Sequence, residues 1–532
     1  MIALIRGPPY GTATPRRRGV VDSRLVVSAD QGNDRNLPET AAARTTSTHP
    51  RGTAKRHPCE LLRSDPPWYY RLEPGRMRYD LIPGDPLHPF GKIIMTRSSN
   101  TGSTRRNFLQ TSAALGTAFW VASDQESWAA PKSPNEKIRF ACVGVGGKGS
   151  SDSASAGRHG DVVAICDVDQ NTLNKAGGRF KNARKFTDYR EMLTKMAGSI
   201  DAVTVSTPDH NHAPASVMAM KLGKHCFTQK PMTHSLYEAR QMALIATKNK
   251  VQTQMGNQGT ASSTLREGAA IVQSGVLGQV NEVHVWTNRP VWPQGGPRPK
   301  VATPPKHLNW DVWLGPAPLR PFGNGYHPFA WRGWWDFGTG ALGDMACHTM
   351  NMPFMALNLR DPISVEATNS GHNKDSFPKS SVITYEFPKL GERDAVKMIW
   401  YDGGERPSQD LLPKDQKVPR TGSLLIGDKG MLLSPGDYAG SSNIVLGVDK
   451  PKVDFEKSPG HFTEYARAIT TGKPARSNFP EYAGPLTEVV LLGNLAVWAE
   501  KKVEWDAKTL TPKNAPEVKK IVRREYRKGW TL

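Results

Sequence analysis

No run of 18 or more consecutive apolar residues occurs in the 532-residue sequence, which excludes a multi-span helical membrane protein. Cysteine is scarce. The five present, Cys59, Cys142, Cys166, Cys226 and Cys347, form no CxxC pair, against a zinc ribbon or a disulfide framework. Clustered positive charge is also missing. The formal net charge is +21, a balance that can signal nucleic acid or an acidic surface as partner. Here the basic residues are scattered, with no basic stripe, zinc-finger spacing or RNP-like aromatic motif, so no nucleic-acid partner is expected. Counting glycine but not tyrosine, about 45% of the chain is apolar, the usual share for a globular protein. The length suggests two domains plus non-domain sequence.

Residues 1–94 are rich in Pro, Arg, Gly and Thr and carry no useful helical or strand period. Such a segment cannot bury enough apolar surface to offset its ordering entropy, and reads as a disordered or mis-annotated extension. Residues 95–130 have a different character. A polar stretch from Met95 ends in Arg105-Arg106-Asn107-Phe108-Leu109, followed by the mildly apolar Ala113–Ala122 and the small residues Ala129-Ala130. This order matches an export signal and resembles the twin-arginine type. It implies the twin-arginine machinery as a partner, a periplasmic or equivalent extracytoplasmic location and no stable membrane span after processing. An amphipathic surface helix with two chance arginines explains neither the order of the three regions nor their position. The absence of a disulfide pattern fits folding in a reducing cytoplasm before export.

A dinucleotide fold is expected over 131–257. Ile138–Val143 reads as a buried parallel strand and runs into Gly144-Val145-Gly146-Gly147-Lys148-Gly149, a G-x-G-x-x-G turn. Gly144 suits the tight turn, Gly146 a close approach to pyrophosphate, and Gly149 close helix–strand packing. The next helix would aim its N-terminal amides at the phosphates. A second strand, Asp161–Cys166, ends at Asp167, 23 residues after Gly144. That is close to the spacing of about 20 expected for a ribose-binding carboxylate, which favours NAD over NADP. A plain turn role for Asp167 is the alternative. Further strands at Asp201–Val205, His225–Thr228 and Val251–Met255 alternate with helices, implying a parallel sheet. Ligands of such sheets collect at the carboxyl ends of strands, where Thr207, Pro208, His212, Gln229 and Lys230 lie.

A strand ending in Ser206-Thr207-Pro208-Asp209-His210-Asn211-His212, then one ending in Lys230-Pro231, resembles the Gfo/Idh/MocA family of glucose–fructose oxidoreductase and inositol dehydrogenase. A second signature, an Asp and a His four residues apart on a helix, appears as Asp344 and His348. The resemblance spans about residues 137–500 and implies a Rossmann domain with a C-terminal substrate and oligomerisation domain. One position departs: Gln229 stands where the family usually has a glutamate, which removes a charge near the nicotinamide.

The chemistry suits these residue types. Oxidising a secondary alcohol requires removal of a hydroxyl proton as hydride leaves, and a histidine is a suitable base. Asp344 and His348, at i and i+4, share a helix face. The resemblance makes His348 the base, Lys230 the group that polarises the reacting oxygen and relays its proton, and Asp344 a binder of a neighbouring hydroxyl. By spacing alone, Asp344 and His348 could instead be an ordinary helix-surface pair. No HExxH-like set completes a metal site, so no metal is expected, and His210 and His212 read as loop residues.

The region 258–532 should form an α+β domain with an open, mostly antiparallel sheet. Helices are expected at about 262–274 and 485–501, and strands at 281–287, 363–368, 381–387, 396–401 and 423–426. Gly427-Asp428-Lys429-Gly430 reads as a hairpin turn. Seven of the 14 Trp residues fall between Trp286 and Trp335, among Pro, Gly and Asn. Aromatic faces with polar groups such as Arg332 and Asn309 suit sugars, although several of these rings must simply staple an irregular loop. Trp334 and Trp335 are expected to line the pocket, with Asn257 and Arg332 as further substrate contacts.

The resulting expectation is an α/β NAD-dependent oxidoreductase acting on a secondary hydroxyl of a sugar, glycoside or cyclic polyol. It would be homo-oligomeric, with a tightly held cofactor loaded before export. An alternative is glycoside cleavage through transient oxidation and elimination. A non-catalytic sugar-binding protein is the third reading, favoured by Gln229 and opposed by Lys230, Asp344 and His348.

Overall fold

A computed structural model describes residues 136–532. The extension 1–94, the signal-type segment 95–130 and Cys59 lie outside the described residues.

The first domain alternates strand and helix. β1 (Ile138–Val143) leads to α1 (Gly147–His159), β2 (Gly160–Cys166), α2 (Gln170–Arg179), β3 (Arg184–Phe186) and α3 (Tyr189–Met196). β4 (Ala202–Val205), α4 (His212–Lys221), β5 (His225–Thr228), α5 (Leu236–Lys248) and β6 (Thr253–Met255) complete it. The sheet order is β3-β2-β1-β4-β5-β6, with every pairing parallel. Both faces are covered by helices, so β4 and β5 are buried throughout, as parallel strands in such sheets are. Strand order reverses between β1 and β4, which opens a crevice at their carboxyl ends.

The second domain starts with α6 (Ser263–Gln273) and β7 (Val280–Trp286). A long irregular segment precedes α7 (Gly340–Thr349) and α8 (Asn351–Leu357). Next come β8 (Ser364–Asn369), β9 (Ser381–Phe387), β10 (Val396–Asp402), β11 (Gly422–Gly427), β12 (Met431–Pro435) and β13 (Ile444–Leu446). The chain ends with α9 (His461–Thr471), α10 (Gly484–Ala499), β14 (Val503–Asp506) and β15 (Thr511–Pro512), then a short helical tail. The sheet order is β13-β12-β11-β7-β10-β9-β8-β14-β15. Only β7 and β10 run parallel, so the sheet is open and mostly antiparallel. Residues Gly427–Gly430 turn β11 into β12, as their composition predicts.

The two sheets divide near residue 257, but the packing does not. α9 returns to the first domain, where Phe462, Tyr465 and Ile469 bury against Phe140, Cys142 and Phe227 of β1 and β5. α10 is apolar on nearly every side and almost wholly buried. It contacts α5 of the first domain as well as α7, β8 and β9. An Arg240–Glu488 ion pair at 2.7 Å and a bond from Asn494 Nδ2 to Thr339 O at 2.8 Å fix it to both sides.

Candidate functional site

The crevice above β1 and β4 is a cavity of about 720 Å³, lined by the glycine-rich loop, Asp167, Thr207, Pro208, Gln229, Lys230, Asp344 and His348. The loop's shape follows from its glycines. Gly144 has φ +74° and backs onto the Ser206 carbonyl, which an added Cβ would approach to 2.7 Å. Gly149 packs against Gly144, whose carbonyl oxygen an added Cβ would meet at 2.0 Å, so helix and strand approach through backbone. α1 follows Gly146 as its N-cap, with no side-chain cap and no acidic residue in its first turn. Its free amides and positive dipole end adjoin the cavity, an arrangement that suits a pyrophosphate.

Asp167 is fixed by the loop it follows. Its carboxylate accepts Val145 N at 2.9 Å and Asp169 N at 3.0 Å, and burial raises its pKa. Asp169 then caps α2 by accepting Asn171 N and Thr172 N. The irregular segment returns across this end: Leu308 bridges Asp169 as an antiparallel partner. Gln170 N donates to His307 O at 2.8 Å and Asn309 N to Val168 O at 2.9 Å. One stretch of chain thus closes over the end of the crevice nearest Asp167.

At the other end, Lys230 leaves β5 and meets α7. Lys230 Nζ donates to Asp344 Oδ1 at 2.9 Å and to Asp344 O at 2.7 Å. Arg332 Nε donates to the same Oδ1, also at 2.9 Å. These two cations hold the Asp344 carboxyl well below its usual range against the opposing effect of burial. One turn further along α7, His348 is buried, its ring centroid 4.5 Å from that of Tyr438. Burial, then the Lys230 charge, keep this imidazole neutral by lowering its pKa far below the ordinary value. Its Nδ1 finds no hydrogen-bond partner among the described residues. Arg332 sits 4.3 Å from the Trp331 ring, 4.8 Å from Phe329 and 5.9 Å from Trp292, and all three rings line the cavity.

Two sequence expectations need correction. Trp334 and Trp335 do not line the cavity. Trp334 is buried in an aromatic cluster with Trp313, Tyr326 and Phe337, while Trp335 stacks on Phe377 with centroids 3.7 Å apart. Asn257 is fully buried and its Oδ1 accepts Ser477 Oγ at 2.6 Å; its neighbour Gln258 reaches the cavity instead. His212 borders the crevice as expected, and its two ring nitrogens each lie 2.8 Å from a carbonyl, Pro231 O and Thr207 O. It therefore ties the β4 loop to the β5 loop.

Sequence reasoning missed Tyr438, Phe329, Trp292 and Asp209. Tyr438 arrives on the turn after β12, far from the motifs, and no local pattern marks it. Asp209 was visible inside the Ser-Thr-Pro-Asp-His run. It is buried, accepts Thr339 Oγ1 at 2.6 Å, and burial pushes its carboxyl up to about 7. Among the described residues no group of three His, Cys, Asp or Glu side chains is arranged to hold a metal ion.

Comparison with known proteins accords with this geometry. Residues 138–257 match the GFO_IDH_MocA oxidoreductase family's NAD-binding Rossmann fold, and residues 262–410 its C-terminal alpha/beta domain. A glycosyl hydrolase family 109 protein of Shewanella putrefaciens is 28% identical over 178 residues, covering 28% of this chain and 38% of that protein. The match thus spans well under half of that relative's length. The WlbA dehydrogenase of Chromobacterium violaceum, solved with NADH and UDP-GlcNAcA, superposes with a TM-score of 0.52 at 19% identity. That likeness covers 71% of this chain and 98% of the other. The Bordetella pertussis WlbA dehydrogenase gives 0.50 at 17% identity, covering 70% and 99%. At these identities the likeness speaks to the fold alone.

Proposed function

The chain belongs to the Gfo/Idh/MocA oxidoreductase family, and on that premise we propose that it oxidises a secondary hydroxyl of a sugar, glycoside or cyclic polyol. The observation that carries this reading is the meeting of Lys230, Asp344 and a neutral, buried His348 in one cavity with the glycine-rich loop. NAD, when bound, supplies the hydride acceptor. The loop amides and the α1 N-terminus would hold its pyrophosphate, and Asp167 would accept from a ribose hydroxyl. His348 receives the hydroxyl proton; only a neutral imidazole can do so. Lys230 donates a hydrogen bond to the reacting oxygen from a position set by Asp344. Asp344 Oδ1 is taken by Lys230 and Arg332, which leaves Oδ2 to accept from a neighbouring substrate hydroxyl. The aromatic rings around Arg332 suit the apolar face of a sugar.

The chain segment closing over Asp167 favours a cofactor that stays bound between turnovers. Such a cofactor also accords with export of the folded, loaded protein by the twin-arginine route, which the segment 95–130 suggests. Purified protein should then release NAD on denaturation, identifiable by mass. Protein that neither contains NAD nor binds it when added would overturn the reading.

The match to glycosyl hydrolase family 109 proteins favours a second outcome of the same first step. A ketone formed transiently next to a C–H bond acidifies it. Elimination of a glycosidic group, addition of water and return of the hydride then give net hydrolysis. Release of reducing sugar with no net NADH distinguishes this from simple dehydrogenation.

A further inference from the structure

One carboxylate, bonded to three residues that line the crevice, has no part in the chemistry above. Asp152 lies early in α1, beneath the glycine-rich loop, and is buried. Its Oδ1 accepts Lys148 Nζ at 2.6 Å. Its Oδ2 accepts Ser206 Oγ from the end of β4 and Gln229 Nε2 from the end of β5, each at 2.8 Å. The opposite end of the Gln229 amide, Oε1, accepts Lys230 N at 3.3 Å.

This amide can adopt one orientation only. Turning it over would set its oxygen against a carboxylate and its NH₂ against an N–H. On one side it packs on bare backbone: a Cβ added at Gly256 would lie 2.5 Å from Gln229 Nε2. The residue directly before Lys230 is therefore oriented by a charge on a different element, the helix that opens the dinucleotide site.

We propose that Asp152 and Gln229 form a matched carboxylate–carboxamide pair that positions Lys230, with the pair's single negative charge carried on α1 instead of on the lysine's own strand. Gln229 is then no sign of lost activity. Of the two facing positions, one must be charged and the other a neutral donor, and either assignment satisfies the geometry. In D152N/Q229E the amide introduced on α1 donates to the carboxylate introduced at the end of β5, while the oxygen of that amide still accepts Lys148. The second oxygen of the new carboxylate still accepts Lys230 N. Two carboxylates, or two amides, leave one contact mismatched. The effect on turnover rests on the oxidoreductase reading; the pairing itself does not.

The test compares wild type, D152N, Q229E and the double variant D152N/Q229E, by melting temperature and by turnover across pH 6 to 9. In Q229E two buried carboxyls face each other, so the pair retains a proton and its pKa in the fold is raised. A raised pKa gives stability at low pH that is lost as pH rises. The surrounding titratable groups are Lys148 on α1, the Cys142 thiol on β1, Lys230, His348 on α7, and His461 at the start of α9. His461 is neutral here, because burial lowers it to about 4.

Q229E should therefore melt progressively lower than wild type as pH rises. Its turnover should fall about tenfold or more at the alkaline end and recover toward pH 6, since one displaced unit of pKa is worth a factor of ten. The double variant should lose this pH dependence and return to within about threefold of wild-type turnover. A double variant as unstable and as slow as the sum of the single changes overturns the pairing. A wild type that neither binds NAD nor turns over overturns the functional reading, and the melting curves still judge the pairing.

Discussion

Lys230 Nζ and Asp344 Oδ1 stand 2.9 Å apart, although 114 positions separate them in the chain. Both side chains are largely buried, at 15% and 14% exposure. A buried pair of this kind is costly to break from one side only, since the remaining charge is left uncompensated. Here Arg332 shares the same carboxylate oxygen, so loss of the lysine still leaves Asp344 paired. Folding and chemistry can therefore be separated by mutation at this site.

Lys230→Ala should fold, retain NAD and lose turnover by a factor on the order of 10²–10⁴, the range for removing a positioned proton-transfer group. Stopped-flow nicotinamide absorbance during a single turnover, with NAD content measured in parallel, checks this. Equal sugar consumption by wild type and variant would remove Lys230 from the mechanism.

Gly149→Ala tests the loop. The new Cβ would fall 2.0 Å from Gly144 O, and that neighbour is backbone, so helix and strand must separate. A loss of about 1–3 kcal/mol of stability is expected from overpacking, along with loss of bound NAD. Urea unfolding and nucleotide content report the two effects.

Phe329→Ala and Trp334→Ala should have opposite effects. Phe329 is 49% exposed and borders the cavity beside Arg332, so its removal should raise the sugar KM several-fold with stability changed by less than about 1 kcal/mol. Trp334 is core, and its removal should cost about 3–5 kcal/mol. Steady-state kinetics and thermal melts on the two variants give the comparison.

Acid should destabilise this protein earlier than its carboxylates alone would require. Burial lowers His210 to about 3 and His212, His225 and His461 to about 4, with His234 and His348 well below normal. Each stays neutral in the fold but takes a proton in the unfolded chain near pH 6.5. Stability from these six groups is present above about pH 6.5 and is lost as pH falls toward 4. Asp209, raised to about 7, Asp402, raised to about 6, and Asp167, Asp336 and Glu488, also raised by burial, act in the opposite direction. Burial lowers His284, His327 and His372 as well, so nine imidazoles oppose five carboxyls. Melting temperature should fall between pH 7 and pH 5; a flat or rising profile would contradict the assignment of neutral histidines.

The fold was readable because its signals are local. β1, the glycine turn and Asp167 follow one another within a single β–α–β unit, and the parallel topology then dictates that Thr207 and Lys230 end at the same edge. Asp344 and His348 needed only helical spacing to share a face. The tryptophans were not readable in this way. Trp331 borders the cavity, Trp334 is core and Trp335 is half-buried against Phe377 and Trp498, yet all three lie in an irregular segment with no period to distinguish one side from another. Asn257 failed for a related reason: the end of β6 faces the crevice, but the side chain there turns inward to Ser477. Asp152 stayed hidden because α1 is so polar that an acid in it looks like solvated surface.

α10 has a consequence for how the two lobes are joined. It bonds the Rossmann side through Arg240 and Glu488, and the start of the Asp344–His348 helix through Asn494. At Gly493 its backbone packs so closely that an added Cβ would lie 2.1 Å from Tyr385 Oη. One rod thus ties both lobes to the same scaffold, so a change in α10 is felt on both sides of the cleft.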